Sequence, residues 1–131
     1  MRHDIDFRDL AIACARVADD KKATNIVILD LREHIFILDY FVIATGTNRR
    51  QLQAICDEIK ERLSAKNARL LGVEGYDQAE WILMDWGGLL VHLFTQDARK
   101  FYDLELLWGD SPRIQWGSSE LHPSERAAAG P

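Results

Sequence analysis

The sequence has few of the residues that cross-link small extracellular domains or build metal sites. It contains two cysteines and four histidines among 131 residues. Cys14 and Cys56 each fall on an apolar stripe at helical spacing, where a free thiol behaves as a small hydrophobe. We therefore expect core cysteines rather than a disulfide. The histidines are scattered singly, without i, i+4 pairing or accompanying cysteines, which argues against a zinc site.

Proline is scarce too, and its distribution marks a boundary. All three prolines, Pro112, Pro123 and Pro131, lie in the last twenty residues, together with a Gly-Ser-Ser sequence and three consecutive alanines. Such a composition is typical of chain that does not build a packed core. We predict one folded domain over residues 1–110, followed by a flexible tail over residues 111–131.

Long hydrophobic runs and an excess of basic residues are also missing. No stretch approaches the ~18 apolar residues of a membrane span, and the N-terminus lacks the apolar segment of a signal peptide. These absences predict a protein of the cytoplasm or of an organelle matrix that does not contact a membrane, and of the two we expect a cytoplasmic protein. The net charge is −5, and because the tail is neutral, the acidic excess belongs to the predicted domain. That balance disfavours direct binding to DNA or another phosphate backbone and suits a basic protein partner.

The sequence does contain a regular alternation of amphipathic and short apolar segments. Apolar residues recur at helical spacing from Phe7, with Asp6 available as the N-cap. Asn48 and Gln51 have the form of a capping box that opens a second helix. Strands are predicted over residues 26–31, 39–45 and 68–73, with a further pair over residues 81–94. The pattern predicts an α/β (α+β) fold: a single domain with a mixed sheet of about five strands and flanking helices.

The most informative segment covers residues 81–94. Gly87 and Gly88 divide it, and such a pair readily adopts the positive φ angles of a two-residue hairpin turn. That turn opposes Trp86 to Leu89 and makes one sheet face entirely apolar. The other face, here named the mixed face, carries Trp81, Leu83 and Asp85 on the first strand and Leu90, His92 and Phe94 on the second. Because monomers rarely expose an apolar patch of this size, either the last helix or a partner must cover it.

That last helix is predicted over residues 96–108, with Gly109 as its stop. Its apolar stripe consists of Phe101, Leu104 and Trp108. A helix that is apolar on more than one side is usually wedged between two surfaces. Arg99 and Tyr102 on this helix either belong to a binding surface or only fix the helix to the sheet.

Residues suited to catalysis or cofactor binding are sparse. Thr45-Gly46-Thr47 precedes a predicted helix, where free backbone N–H groups can hold a phosphate, but it lacks the spacing and the lysine of a phosphate-binding loop. A nucleotidyltransferase needs two or three carboxylates that converge on Mg²⁺, whereas the Asp-x-Asp of this chain, Asp4-Ile5-Asp6, precedes the first helix. We expect no enzyme, cofactor or metal. Two alternatives stay open: a degenerate nucleotidyltransferase-like protein that binds nucleotide and Mg²⁺ near residues 45–48, and a purely structural dimerisation module.

Several motifs occur in the order in which the Iojap-like ribosomal silencing factors carry them. They are Asp39-Tyr40-Phe41-Val42-Ile43-Ala44-Thr45-Gly46, then Arg50-Gln51, Glu80-Trp81-Ile82-Leu83-Met84-Asp85-Trp86-Gly87, Val91-His92-Leu93-Phe94, Arg99, Tyr102-Asp103-Leu104-Glu105 and Leu107-Trp108. The chain resembles this family over about residues 8–110. It departs from the family at Gly88, where an Asp is usual.

The resemblance implies a nucleotidyltransferase-like fold without catalytic carboxylates. It also implies binding to the large ribosomal subunit, through a ribosomal protein at the face where the small subunit joins, and a homodimer in the free state. Trp81 is the expected anchor, because Trp and Tyr often dominate the binding energy of interfaces. The expected contact residues are Trp81, Leu83, Asp85, Leu90, His92 and Phe94, with Glu80, Arg99, Tyr102 and Glu105 around them. The acidic members would pair with basic side chains of the partner.

Overall fold

The computed structural model describes residues 5–108 and 110–117. Its elements, in chain order, are α1 (Phe7–Asp20), β1 (Thr24–Asp30), β2 (Tyr40–Gly46), α2 (Arg49–Ala65), β3 (Gly72–Glu74), β4 (Trp81–Asp85), β5 (Leu89–Thr95), α3 (Gln96–Tyr102) and α4 (Leu104–Trp108). The predicted start of α1 is confirmed: the Asp6 carboxylate accepts hydrogen bonds from the backbone N–H groups of Arg8 and Asp9. None of the helices in these two ranges is long and apolar enough to cross a membrane.

The five strands form one mixed sheet in the order β1-β2-β5-β4-β3. The central strands β2 and β5 are parallel, and the other neighbours are antiparallel. β2 is buried along its whole length, in keeping with its nearly uninterrupted apolar sequence, which is typical of a strand covered on both faces. The predicted mixed sheet with flanking helices is confirmed. The strand predicted over residues 68–73 is shorter and begins at Gly72.

The hairpin of β4 and β5 has the predicted register, which pairs Trp81 with Phe94, Leu83 with His92 and Asp85 with Leu90. Its turn is held by Asp85, whose carboxylate accepts a hydrogen bond from the N–H of Gly87 at 2.9 Å. Gly87 has a positive φ of 95°, whereas Gly88 does not, so the predicted pair of positive angles was wrong. Gly88 is needed for space instead, because a Cβ there would lie 2.6 Å from the ring of Phe7.

One face of the sheet is closed by α1 and α2. Both cysteines are free and buried in this core, as predicted, and burial raises the pKa of each thiol above its usual value. The buried face of α2 is Leu52, Ile55, Cys56, Ile59 and Leu63, also as predicted. At the start of α2, Asn48 accepts a hydrogen bond from the N–H of Gln51 at 2.8 Å. The return bond of the predicted capping box goes to the N–H of Thr47 rather than to that of Asn48.

The opposite face of the sheet carries a second, aromatic core that short segments cover. Its buried members are Leu29, Leu31, Leu38, Phe41, Ile43 and Phe94. Leu31 and Leu38 come from the connection between β1 and β2, and α4 adds the half-buried Leu104 and Trp108. The chain's own last helices therefore cover part of the mixed face, which was one of the two possibilities that the sequence left open.

The predicted last helix is in fact two short helices, α3 and α4. Between them, Asp103 has a left-handed backbone with φ 44°. The break divides the apolar stripe, so that Leu104 and Trp108 face the sheet while Phe101 is 80% exposed. The expectation that Phe101 shares their stripe was therefore wrong. Gly109, the predicted stop, lies outside the described residues.

The folded part of the chain extends past residue 110, contrary to the predicted boundary. Residues 112–114 run antiparallel to β1, joined to Asp30 and Ile28 by backbone hydrogen bonds of 2.8 and 3.0 Å. Ile114 and Trp116 pack against the core under α1. The segment covers the edge of β1 that would otherwise be unpaired, and its proline fits because only the carbonyl is used. The remainder of the predicted flexible tail lies outside the described residues.

Candidate partner-binding surface

Trp81 stands at the centre of an aromatic cluster on the mixed face. Its ring centre lies 5.1 Å from that of Phe94 on β5 and 4.4 Å from that of Tyr102 on α3. The indole N–H donates a hydrogen bond to Nδ1 of His92 at 3.1 Å. Trp81 is half-buried, and Tyr102 is 47% exposed. Both rings are thus held by the fold and still present part of their surface to solvent, as interface anchors do.

His92 and Phe94 lie beneath this surface. His92 is 4% exposed and Phe94 is fully buried, because the rings of Trp81, Tyr102 and Phe41 pack around them. Their burial does not favour the expectation that these two side chains contact a partner directly. Burial lowers the pKa of His92 to about 3, so its ring is neutral near pH 7.

The far end of the mixed face is only partly covered. Leu83, Asp85 and Leu90 are each half-buried. The hydrogen bond from the turn N–H of Gly87 holds the Asp85 carboxylate in place.

At the other end of β4, exposed Glu80 pairs with Arg49 at 3.6 Å, with 64% and 66% of the two side chains exposed. Because ion pairs that open to water are worth little, Glu80 is free to exchange this partner for another.

Arg99 and Glu105 fix the last helices to the sheet. Only 11% of the Arg99 side chain is exposed, and its Nε donates to Glu105 at 3.0 Å. Its Nη1 donates to the hydroxyl of Thr45 at 2.8 Å and also to the backbone carbonyl of Asn25. Glu105 also lies 3.9 Å from the guanidinium of Arg113. Of the two roles left open for Arg99, these contacts favour the one that fixes the last helices to the sheet. Glu105 takes part in the same set of contacts, here named the lock.

Sequence reasoning missed a set of strongly exposed apolar residues beside the mixed face. They are Phe36 and Ile37 in the connection between β1 and β2, and Phe101, Leu106 and Leu107 on α3 and α4, with exposures between 70% and 100%. The connection and α4 are neighbours, since the rings of His34 and Trp108 lie 6.5 Å apart. For α3 and α4 the sequence did contain a signal, because two residues adjacent in sequence cannot both lie on one apolar stripe of a helix. Phe101-Tyr102 and Leu106-Leu107 are such pairs.

A cleft of about 690 Å³ opens at the carboxyl ends of β2 and β5, where the nucleotide alternative would place its ligand. Thr47, Arg49, Glu80 and Asp97 are among its lining residues. The N–H and the hydroxyl of Thr47 both donate to the Gln51 side chain, at 2.6 and 3.1 Å, so two donors that a phosphate would use are already paired. Within the described residues, no group of three or more His, Cys, Asp and Glu side chains could hold a metal ion. These contacts do not favour nucleotide and Mg²⁺ binding.

Comparison with known proteins assigns the family. Over residues 4–130, the sequence matches the family described as "Ribosomal silencing factor during starvation". This chain belongs to the ribosomal silencing factors. The ribosomal silencing factor of Bacillus subtilis is 43% identical over 103 residues, which are 79% of this chain and 86% of that protein. The one from Halalkalibacterium halodurans is 38% identical over 108 residues, 82% of this chain and 92% of that protein.

A solved structure supports the same assignment for the fold. The crystal structure of a protein from Chromobacterium violaceum superimposes with a TM-score of 0.77 at 26% identity, over 88% of this chain and 98% of that one. The expected family and fold class are confirmed. The family match continues to residue 130, past the residues 8–110 that carry the resemblance, and residues 112–116 do pack on β1. The relatives are named as silencing factors and not as enzymes.

Proposed function

We propose that this ribosomal silencing factor binds a protein of the large ribosomal subunit at the face where the small subunit joins, and represses translation by blocking subunit association. The observation that supports the proposal most directly is the state of the mixed face. There the rings of Trp81 and Tyr102 are fixed by the fold yet remain partly open to solvent. Among the described residues, only the short α3 and α4 cover that side of the sheet with helix.

The proposed contact surface centres on Trp81 and Tyr102, with half-buried Leu83 and Leu90 beside them. An aromatic ring that is already held in place loses little side-chain entropy on binding, so more of its buried area appears as affinity. His92, Phe94, Arg99 and Glu105 support this surface from below or from the side and do not belong to the contact itself. Phe101 extends the apolar area where α3 ends.

Charge supports a protein partner of opposite sign. The chain carries a net charge of −5, and Asp85 and Glu80 lie at the two ends of β4. A ribosomal protein that packs against RNA is rich in Lys and Arg, so its field would steer the encounter and pair with these acids at the rim. The same acidic balance disfavours direct contact with ribosomal RNA phosphates.

Silencing by this route is steric. A body of 15.0 kDa on the joining surface needs no turnover. It needs an interface of the usual ~1,200–2,000 Å² and a residence time longer than the interval between subunit encounters. In this proposal the protein acts in the cytoplasm, where the subunits join.

In the free state we expect a homodimer. Five apolar side chains beside the mixed face are between 70% and 100% exposed: Phe36, Ile37, Phe101, Leu106 and Leu107. Exposed apolar side chains that cluster in this way are typical of interaction surfaces. A second copy of the chain would cover this cluster. If the dimer uses the same face as the ribosome, dimerisation and silencing compete, and a substitution that breaks the dimer strengthens silencing.

The test is sedimentation of the tagged protein with purified ribosomal subunits, following its position and the fraction of joined ribosomes. We expect co-migration with the large subunit and fewer joined ribosomes as the protein concentration rises. Protein that remains at the top of the gradient would contradict the proposal. Thermal unfolding with nucleotide and Mg²⁺ is the parallel control, and a stabilising shift there would favour the nucleotide alternative.

A further inference from the structure

The hydrogen bond between Trp81 and His92 is the directional contact that sets the orientation of the Trp81 ring. The indole N–H donates to Nδ1 of His92 at 3.1 Å. The neighbouring rings of Phe94 and Tyr102 restrict Trp81 as well. Stacking of this kind tolerates sliding and rotation of the rings. A hydrogen bond requires the donor to point at the acceptor, so it selects one rotation of the indole.

The His92 ring is well suited to remain an acceptor. It packs edge to face with the ring of Phe41, with the two ring centres 4.5 Å apart, and lies nearly parallel to the ring of Phe94, at an angle of 8°. Because Nδ1 accepts, a neutral ring carries its proton on Nε2. Nε2 is buried and has no hydrogen-bond partner among residues 5–108 and 110–117. Burial also lowers the pKa of the ring to about 3, which keeps the Nδ1 lone pair available near pH 7.

The unpaired Nε2–H of His92 lowers the stability of the fold. A buried donor without a partner costs about 1–3 kcal/mol relative to an apolar group of the same shape. At position 92 a phenylalanine would avoid this cost and keep the stack with Phe94. The bond from the Trp81 indole contributes only about 0.5–1.5 kcal/mol in return, so stability alone gives little reason for a histidine here, whereas the need for an acceptor at the Trp81 indole does.

We propose that His92 is a positioning residue, whose neutral ring fixes the indole of Trp81 in the orientation that the partner binds. The proposal rests on the proposed function, in which Trp81 is the anchor of the contact with the large subunit. His92 itself is too deeply buried to touch a partner, so it acts through Trp81.

The first part of the test is spectroscopic and needs no ribosome. The four tryptophans each give an indole N–H signal in a ¹H–¹⁵N spectrum, and Trp81→Phe identifies the one from Trp81. His92→Phe keeps an aromatic ring and removes the acceptor. His92→Asn keeps an acceptor near the position of Nδ1. We expect His92→Phe to shift the Trp81 signal and to speed its exchange with solvent, and His92→Asn to change it less.

The second part measures affinity for purified large subunits. Loss of one neutral hydrogen bond that orients an anchor predicts a roughly three- to tenfold weaker affinity for His92→Phe. His92→Asn should stay within about twofold of the unchanged protein. In the Trp81→Phe background, where no indole remains to be oriented, His92→Phe should have no further effect, since the two residues act as one unit.

The outcomes separate the two proposals. An unshifted Trp81 signal in His92→Phe overturns the positioning role. Equal losses of affinity from His92→Phe in the unchanged protein and in the Trp81→Phe background overturn it as well, because they show that His92 acts independently of the indole. So does unchanged affinity of His92→Phe once its Trp81 signal has moved. If the unchanged protein does not bind large subunits, the proposed function fails, and the indole signal still decides whether His92 holds Trp81.

Discussion

The two faces of the sheet are built from different residues and closed by different elements. On one face, α1 and α2 seal a mainly aliphatic core in which Leu52, Ile59 and Leu93 are fully buried and Tyr40 and Trp86 are the buried aromatic members. On the other face, two short helices and a connection cover an aromatic core and leave Trp81 half-buried. Aliphatic side chains interdigitate without directional contacts, whereas the Trp81 indole on the second face is oriented by its hydrogen bond to His92. The first face is suited to stability and the second to recognition.

The amount of structure that holds each cover in place differs as well. α2 has 17 residues, whereas α3 and α4 have seven and five. Helices that short have little stability of their own, so α3 and α4 depend on tertiary contacts such as the Arg99 hydrogen bonds. A cover held by a few side chains can adjust when a partner arrives, and a long helix on a packed core cannot. Five predictions test this contrast.

The largest expected effect is truncation within the aliphatic core. Leu93→Ala removes a fully buried side chain, and we expect a loss of about 2–5 kcal/mol in the free energy of unfolding. Its matched control, Leu71→Ala, removes a side chain that is 59% exposed and lies outside the proposed dimer surface, so it should change stability by much less. Chemical denaturation of both variants provides the comparison. Equal losses would contradict the distinction between the faces.

A second prediction concerns the hairpin turn that borders both faces. Gly88→Asp introduces a Cβ where the Phe7 ring lies 2.6 Å away, and overpacking of this kind costs about 1–3 kcal/mol. Phe7 thus occupies the space that the side chain of an aspartate at position 88, the residue expected from the resemblance, would take. Thermal unfolding should show that Phe7→Ala relieves part of the loss. If the two losses simply add, the ring is not the cause.

The third prediction concerns the pH dependence that His92 gives to the aromatic core. The pKa of His92 is about 3 in the fold against an ordinary value of 6.5. Below pH 6.5, His92 binds a proton in the unfolded chain but not in the folded one. The free energy of unfolding therefore falls as the pH falls toward 3. The slope is at most about 1.4 kcal/mol per pH unit, or roughly 2 kcal/mol by pH 5. His92→Phe should lack this component, which denaturation of both proteins at pH 7 and pH 5 measures. Equal slopes for both would contradict the prediction.

The predictions made from sequence succeeded where local signals decide the structure. The Gly-Gly turn and the alternation of β4 and β5 sufficed for the register, and Asp6 and Asn48 sufficed for two helix starts. The break at Asp103 was missed because a left-handed non-glycine residue is held there by contacts distant in sequence, such as the bonds of Arg99. His92 was placed on the correct face but its burial was not predicted, because alternation fixes which way a side chain points and not what covers it. The pairing of residues 112–114 with β1 could not be predicted from local sequence either, since an edge strand can pair with many different segments.

A fourth, smaller effect is expected at the lock between the last helices and the sheet. Arg99→Lys keeps the charge but loses the planar fork that reaches Glu105, Thr45 and the Asn25 carbonyl at once. We expect a loss of about 1 kcal/mol and faster backbone hydrogen exchange in α3 and α4, with α2 unchanged. Arg62→Lys, on an exposed i, i+4 pair with Glu58, is the control and should alter neither. Uniformly faster exchange across the whole domain would show that the lock is not local.

The most direct test of the account compares the two faces for ribosome binding. Trp81→Ala and Tyr102→Ala alter the mixed face, and Lys60→Ala and Glu61→Ala alter the exposed side of α2 on the other face. Each variant is sedimented with large subunits after circular dichroism has shown that it is folded. We expect Trp81→Ala to lose most of its binding, Tyr102→Ala to bind more weakly, and both α2 variants to bind as the unchanged protein does. Full binding by folded Trp81→Ala, or loss of binding by the α2 variants alone, would contradict this expectation.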